Sequence, residues 1–192
     1  GGLCALLRRG GVRCAAPGAP RPRVDVLKVD IDGCDCALAS AALRVVQPAV
    51  IWIELNMGIP PPLRFSRQCH GDWRRAWHRW LYGGRALATH GCSLAAAVAE
   101  LRSAGYGLFG ISGSQDGVFV HGSVASAVGG ADVDELLCYE EAYRTALRFW
   151  PDEWVSEWLE LPPEEALNRA WCNFSVHDYL FGISQIPFSL SY

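Results

Sequence analysis

Val24-Asp25-Val26-Leu27-Lys28-Val29-Asp30-Ile31-Asp32-Gly33 is the stretch that decides how this chain folds. Residues 24–30 have continuous Val/Leu character, which predicts a strand buried on both faces and parallel to its neighbour. The run then breaks into Asp-x-Asp-Gly ahead of a helical pattern. In open α/β sheets, ligands bind outside the carboxyl ends of the strands. Lys28 is the only lysine among 17 basic residues, so a composition that favours arginine has kept a single lysine here.

Beyond this stretch, Cys34 to Val46 is rich in Ala and Leu and predicts a helix that Gln47-Pro48 ends. Val50-Ile51-Trp52-Ile53-Glu54-Leu55 reads as a second buried strand, so the three elements predict a right-handed βαβ unit. A long irregular stretch from Asn56 to Cys92 follows. It contains Ile59-Pro60-Pro61-Pro62, and then Trp73, Trp77 and Trp80 at helical spacing, a packing stripe or a lid. Ser93 caps a helix over Leu94 to Ser103, and Gly105 ends it in the C′ position. Tyr106–Ile111 and Gly117–His121, joined by small and polar residues, predict a hairpin. From Asp132 onward the pattern is mainly helical, with an interruption at Pro151. Tyr139, Tyr143, Leu147, Trp150, Trp154 and Trp158 form an aromatic stripe for a core or an interface. The chain thus divides into a short helix and linker (1–23), an α/β unit (24–125) and a helical, aromatic-rich extension (126–192).

The 192 residues suit one domain or one domain with an appendage. A net charge of -3 with scattered arginines gives no sign of a nucleic-acid partner. Arginine or acid interrupts every apolar stretch before it reaches membrane-spanning length. Residues 1–9 have too short an apolar core for a secretory signal. Eight cysteines in a chain of this size read mostly as small buried hydrophobes in a reducing, cytoplasmic setting. A zinc site from Cys69, His70, His90 and Cys92 is conceivable but lacks the usual C-x2-C pair. The single methionine is Met57 and the chain begins Gly-Gly, which points to processing or to a piece of a longer reading frame.

The chemistry concentrates where the two strands end. With a side-chain period of two, Lys28 and Asp30 share a face on the first strand, and Trp52 and Glu54 share one on the second. If these strands are parallel neighbours roughly 4.8 Å apart, Asp30 and Glu54 sit side by side. Two desolvated carboxylates that close cannot both stay charged without a partner. Lys28 could neutralise one of them. A divalent cation such as Mg2+ could hold both, with Asp32 or Asn56 as a further oxygen ligand. The plainer alternative is a structural Lys28–Asp30 ion pair, with Asp32 or Asp35 capping the helix. His121, at a strand end, reads as structural.

At these residues the chain resembles FkbM-type S-adenosylmethionine-dependent methyltransferases. Asp25 to Gly33 looks like the family's Leu-Lys-x-Asp-x-Glu/Asp-Gly strand, and Pro48 to Glu54 looks like the next strand, which also ends in a glutamate. Gly105-Tyr106-Gly107-Leu108 with Asp116-Gly117-Val118-Phe119-Val120 is similar to the hairpin that closes the family's sheet. Glu54-Leu55-Asn56 with Ile59-Pro60-Pro61-Pro62 and Gly91-Cys92-Ser93-Leu94 resembles an uncharacterised eukaryotic subgroup. The resemblance spans residues 2–121. It implies a partial Rossmann-like sheet, two parallel strands plus an antiparallel hairpin, with helices on its faces. It also implies O-methyl transfer to a sugar or other small-molecule hydroxyl, with Asp30, Asp32 and Glu54 in catalytic positions. Asp30 and Glu54 match the family's metal-ligand positions, and the reading of the strand ends adds Asn56 as a further ligand of a divalent metal that orients the acceptor.

One departure from the family is severe. The glycine-rich loop and the acid that grip S-adenosylmethionine precede the Leu-Lys strand in such folds, and only 23 residues precede it here. The chain therefore reads as the carboxyl half of such a domain, with its first strand left as an exposed edge that invites self-association. Two rivals stand beside this reading. One is a non-enzymatic methyltransferase-fold remnant that acts in protein interaction through that edge or the aromatic helices. The other is a haloacid-dehalogenase-like phosphohydrolase, with Asp30 as nucleophile and Asp32 as acid/base. Against the latter, Cys34 stands where that motif has Thr or Val, and no second lysine exists.

Overall fold

The computed structural model describes residues 2–16, 18–31, 33–68, 90–113, 115–146, 161–180 and 188–192. A short helix α1 (Gly2–Arg9) and a loop lead into β1 (Arg23–Val29). Helix α2 (Asp35–Leu43) then crosses to β2 (Gln47–Glu54). β1 and β2 pair in parallel, with Val26 beside Val50 and Val29 beside Ile53. The helix is shorter than expected and Gln47-Pro48 does not end it. Pro48 is instead the second residue of β2, near a strand start where a missing N–H is tolerated. Val45 and Val46, both β-branched, already turn the chain out of the helix by donating to the Ala42 carbonyl.

The hairpin forms as the sequence predicts, from β4 (Tyr106–Ser112) and β5 (Asp116–His121), with a bulge between Leu108 and Gly110. β5 pairs antiparallel with β2, placing Ile51 beside Phe119 and Glu54 beside Asp116. The sheet order is β1-β2-β5-β4, so the protein is mixed α/β with a mixed four-stranded sheet. Gly117 is required where these strands meet, because a Cβ there would lie 2.7 Å from Leu55 Cδ1.

Helix α3 (Leu94–Ser103) begins at Ser93, whose hydroxyl accepts the Ala96 N–H, and closes on Gly105 at φ 91°. This matches the predicted cap and C′ glycine. Helices α2 and α3 cover one sheet face. Val29, Ile51, Ile53, Leu94, Val98, Leu108 and Phe119 form the core between them.

The opposite face behaves differently. Val26 is 57% exposed and Trp52 37% exposed, and only Val29 is buried within β1. The expectation that β1 is buried on both faces is therefore wrong. β1 is the sheet's edge, as expected for the first strand, and Val26, Lys28 and Trp52 stand exposed on one sheet face.

The carboxyl-terminal residues fold back onto this unit. Helix α4 (Glu135–Ala146) sends Tyr139 into the main core, where its hydroxyl donates to the Met57 carbonyl. β3 (Arg64–Arg67) pairs antiparallel with β6 (Phe188–Ser191). Helix α5 (Pro163–Leu180) closes a second small core of Ile59, Leu63, Phe65, Ala170 and Phe174. The Trp73/Trp77/Trp80 and Trp150/Trp154/Trp158 sets lie outside the described residues. No described helix is long and apolar enough to cross a membrane.

The cysteine reading needs correction. Cys36 of α2 is disulfide-bonded to Cys92, just ahead of α3, across a sequence separation of 56. Cys34 is disulfide-bonded as well, while Cys4, Cys14, Cys138 and Cys172 are free. Cys92 is therefore no thiolate ligand for zinc. The Asn56 N–H donates to the Cys92 carbonyl and Ser66 bridges Cys92, which carries this cysteine to the end of β2 beside α2. The bond closes a loop of more than fifty residues, which in the chain-entropy account is worth about 4 kcal/mol. The double variant C36A/C92A should lose roughly that much in urea unfolding, whereas C172S, at an exposed position, should stay within about 0.5 kcal/mol of wild type. A C36A/C92A loss no larger than that of C172S would remove the crosslink from this account.

Candidate functional site

The pairing register brings the acids together. Lys28 lies beside Trp52 and Trp52 beside Val118, so these three form one row across the sheet. One pleat further on, Glu54 lies beside Asp116. Asp30 follows immediately after β1, beyond its last paired residue. Asp30, Glu54 and Asp116 thus cluster at the carboxyl edge of β1 and β2.

Lys28 is the charge that organises this edge. Its Nζ lies 2.7 Å from Asp116 Oδ1 and 3.4 Å from Asp30 Oδ2. It reaches Asp116 across β2, with the ammonium 5.5 Å from the centre of the Trp52 ring. Partial burial pulls its pKa down, but the hydrogen bond and charge of Asp116, with the charge of Asp30, outweigh this and hold it above the ordinary lysine value. Lys28 therefore stays protonated at neutral pH and is no general base. The expected Lys28–Asp30 pair is present, but the shorter contact is to Asp116, which sequence reasoning left in the hairpin turn. Docking of the hairpin against β2 puts Asp116, the first residue of β5, opposite Glu54.

Glu54 is buried, and its Oε1 accepts a hydrogen bond of 2.8 Å from Gln115 Nε2. Gln115 is itself fixed, since its carbonyl accepts the Leu55 N–H. Asn56 is buried too, and its amide serves the turn after β2. Its Oδ1 accepts the Gly58 N–H and its Nδ2 donates to the His90 carbonyl. Asp32 lies outside the described residues.

The loop carrying Asp30 is held from below by Asp35. One Asp35 oxygen accepts the Ile31 N–H at 2.9 Å and the other accepts the Gly33 N–H at 3.0 Å. The side chain is fully buried. Burial raises its pKa, and the backbone hydrogen bonds offset this only in part. Asp35 thus closes the loop from the first residue of α2, rather than capping the helix from outside.

His121 sits at the opposite end of the sheet. Its ring bonds Gln47 Nε2 and Ser123 Oγ and packs edge-on against Tyr106, which is a structural role as expected.

Among the described residues, no group of three or more His, Cys, Asp or Glu side chains is placed to hold a metal ion. Lys28 already supplies positive charge to Asp30 and Asp116, and the Asn56 carbonyl is turned into its own loop. As placed, these described side chains do not by themselves fit a divalent cation. No family model matches this chain, and neither a curated protein nor a solved structure matches it.

Because the folded pKa of Asp35 is raised, its contribution to stability is full below its ordinary 3.8 and is lost as pH rises through the folded value. D35N carries no such titration. In urea unfolding, the stability of wild type relative to D35N should fall as pH rises from below 3.8 toward neutrality. A difference that stays flat across that range would contradict a buried, charge-disfavoured Asp35.

Proposed function

We propose that this chain supplies the acceptor side of an S-adenosylmethionine-dependent O-methyltransferase of the FkbM kind, acting on the hydroxyl of a sugar or other small molecule. The observation that carries the reading is the parallel β1–β2 pairing, which sets Asp30 and Glu54 at neighbouring strand ends with Asp116 opposite Glu54. In this reading the mixed sheet is the carboxyl portion of a Rossmann-like methyltransferase sheet. Any strand added to this sheet on that side would pair with the outer edge of β1.

The roles of this chain's own residues follow from their surroundings. Glu54 is the carboxylate that takes up the acceptor hydroxyl's proton, held in orientation by Gln115. Lys28 keeps Asp116 and Asp30 apart in charge and fixed in place, so the acceptor meets a set arrangement of oxygens. The exposed face of Trp52 offers a flat apolar surface against which a sugar ring can lie. Bound S-adenosylmethionine supplies an electrophilic methyl carbon. No described residue of this chain is assigned to it; the described residues ahead of β1 are fastened to α2 and β2, where Arg21 donates to the Leu43 carbonyl and the Gln47 N–H donates to the Pro22 carbonyl.

One observation favours a second reading, a methyltransferase-fold remnant that works in protein association. Among the described residues β1 has no partner on its outer edge, and Val26 and Trp52 stand exposed beside it. Such an edge is a template for strand addition.

The 192-residue polypeptide alone should bind S-adenosylmethionine weakly or not at all in calorimetric titration, and a longer polypeptide bearing an upstream strand and glycine loop should bind it stoichiometrically. Tight one-to-one binding by the 192-residue chain would overturn the assignment of this chain to the acceptor side alone.

A further inference from the structure

Asn173-Phe174-Ser175 is the only Asn-x-Ser/Thr triplet in the chain, and its middle residue is not proline. It lies on α5, where the helix treats its three residues differently. Phe174 is 1% exposed and packs its ring 5.2 Å from that of Phe65 and 5.9 Å from that of Phe188. Asn173 and Ser175 both face solvent. The small core therefore anchors the middle of the triplet, while its acceptor amide and its hydroxyl stay outside.

A second, independent observation concerns the compartment. Cys36 and Cys92 are joined in the core and Cys34 is oxidised too. Such bonds form and persist in oxidising compartments and are rare in the cytosol. Oxidising secretory compartments are also where Asn-x-Ser/Thr side chains on protein surfaces receive glycans.

We propose that Asn173 is an N-glycosylation site, modified as the chain passes through an oxidising secretory compartment. In the transfer, Asn173 Nδ2 loses a proton and bonds to C1 of an oligosaccharide. The C1–O bond to the polyprenyl pyrophosphate carrier breaks, and the lipid pyrophosphate leaves with the electron pair. On a closed helix Asn173 and Ser175 point roughly 200° apart, so the hydroxyl cannot assist the amide there. Transfer therefore precedes closure of α5, and the exposed position of Asn173 lets the finished helix carry the sugar. Val176, three residues on and 58% exposed, lies on the same side of the helix, so the glycan would cover apolar surface that the described residues leave open. This placement replaces the cytoplasmic setting expected from the sequence, and it does not depend on the methyltransferase reading.

The test is to express the full reading frame, with its own amino terminus, in cultured eukaryotic cells. The protein is treated with peptide:N-glycosidase and mapped by peptide mass spectrometry under non-reducing conditions. Wild type should shift in mobility on treatment and yield aspartate at position 173, with Cys36 and Cys92 recovered as one linked pair. N173Q and S175A should each abolish the shift, and S175T should restore it, which separates loss of the acceptor sequence from loss of folding. Unmodified Asn173 recovered from protein with the Cys36–Cys92 bond intact would overturn the proposal. So would recovery of both cysteines as free thiols together with unmodified Asn173.

Discussion

β1 and β2 run parallel with Val29 beside Ile53, and the carboxyl edge depends on that register. It fixes which residues end the two strands and on which face they stand. A slip of one residue would turn Lys28 into the core and Leu27 out of it. The register is secured on the buried side, where Val29, Ile51 and Ile53 pack under α2 and α3. The open side is then free to carry polar groups, and it holds Lys28, Glu54 and Asp116. The exposed row of Lys28 and Trp52 and the acid cluster are two consequences of one pairing.

The single lysine works as a bridge. Its ammonium lies over the Trp52 ring and reaches acids from two other parts of the fold, the loop after β1 and the first residue of β5. Glu54, on the neighbouring strand end, is buried and accepts a hydrogen bond from Gln115. Two kinds of carboxylate thus occur within one edge. Asp30 and Asp116 share the charge of Lys28, and Glu54 is buried with a hydrogen bond from Gln115.

Much of this was legible in the sequence, where the signal is local. The Val/Leu runs gave β1 and β2, Ser93 and Gly105 gave both ends of α3, and small and polar residues gave the hairpin turn. Asp30 and Glu54 were reachable from the strand period alone. The contacts that sequence reasoning missed join distant segments. Lys28 and Asp116 are 88 residues apart, and Cys36 and Cys92 are 56 apart. No periodicity encodes either contact, because each depends on β5 or on the segment before α3 docking against β2. The apolar run of β1 alone reads as buried on both faces, whereas the family resemblance reads β1 as an exposed edge, and the strand order agrees with the edge. The pairing of β3 with β6 likewise joins segments that no local signal connects.

The central claim is that the carboxyl edge of β1 and β2 serves methyl transfer to a hydroxyl. The most direct measurement is label transfer from methyl-labelled S-adenosylmethionine to a panel of sugars and small hydroxyl compounds, catalysed by the full reading frame and by its E54Q variant. The account predicts transfer to at least one hydroxyl acceptor by wild type. It also predicts a fall of about 10²-fold or more in kcat for E54Q, as expected for loss of a proton-accepting group, with donor affinity unchanged. Transfer that E54Q leaves intact, or no transfer by a wild-type protein that binds the donor, would contradict it. The second of these results would leave the exposed edge of β1 as an association surface.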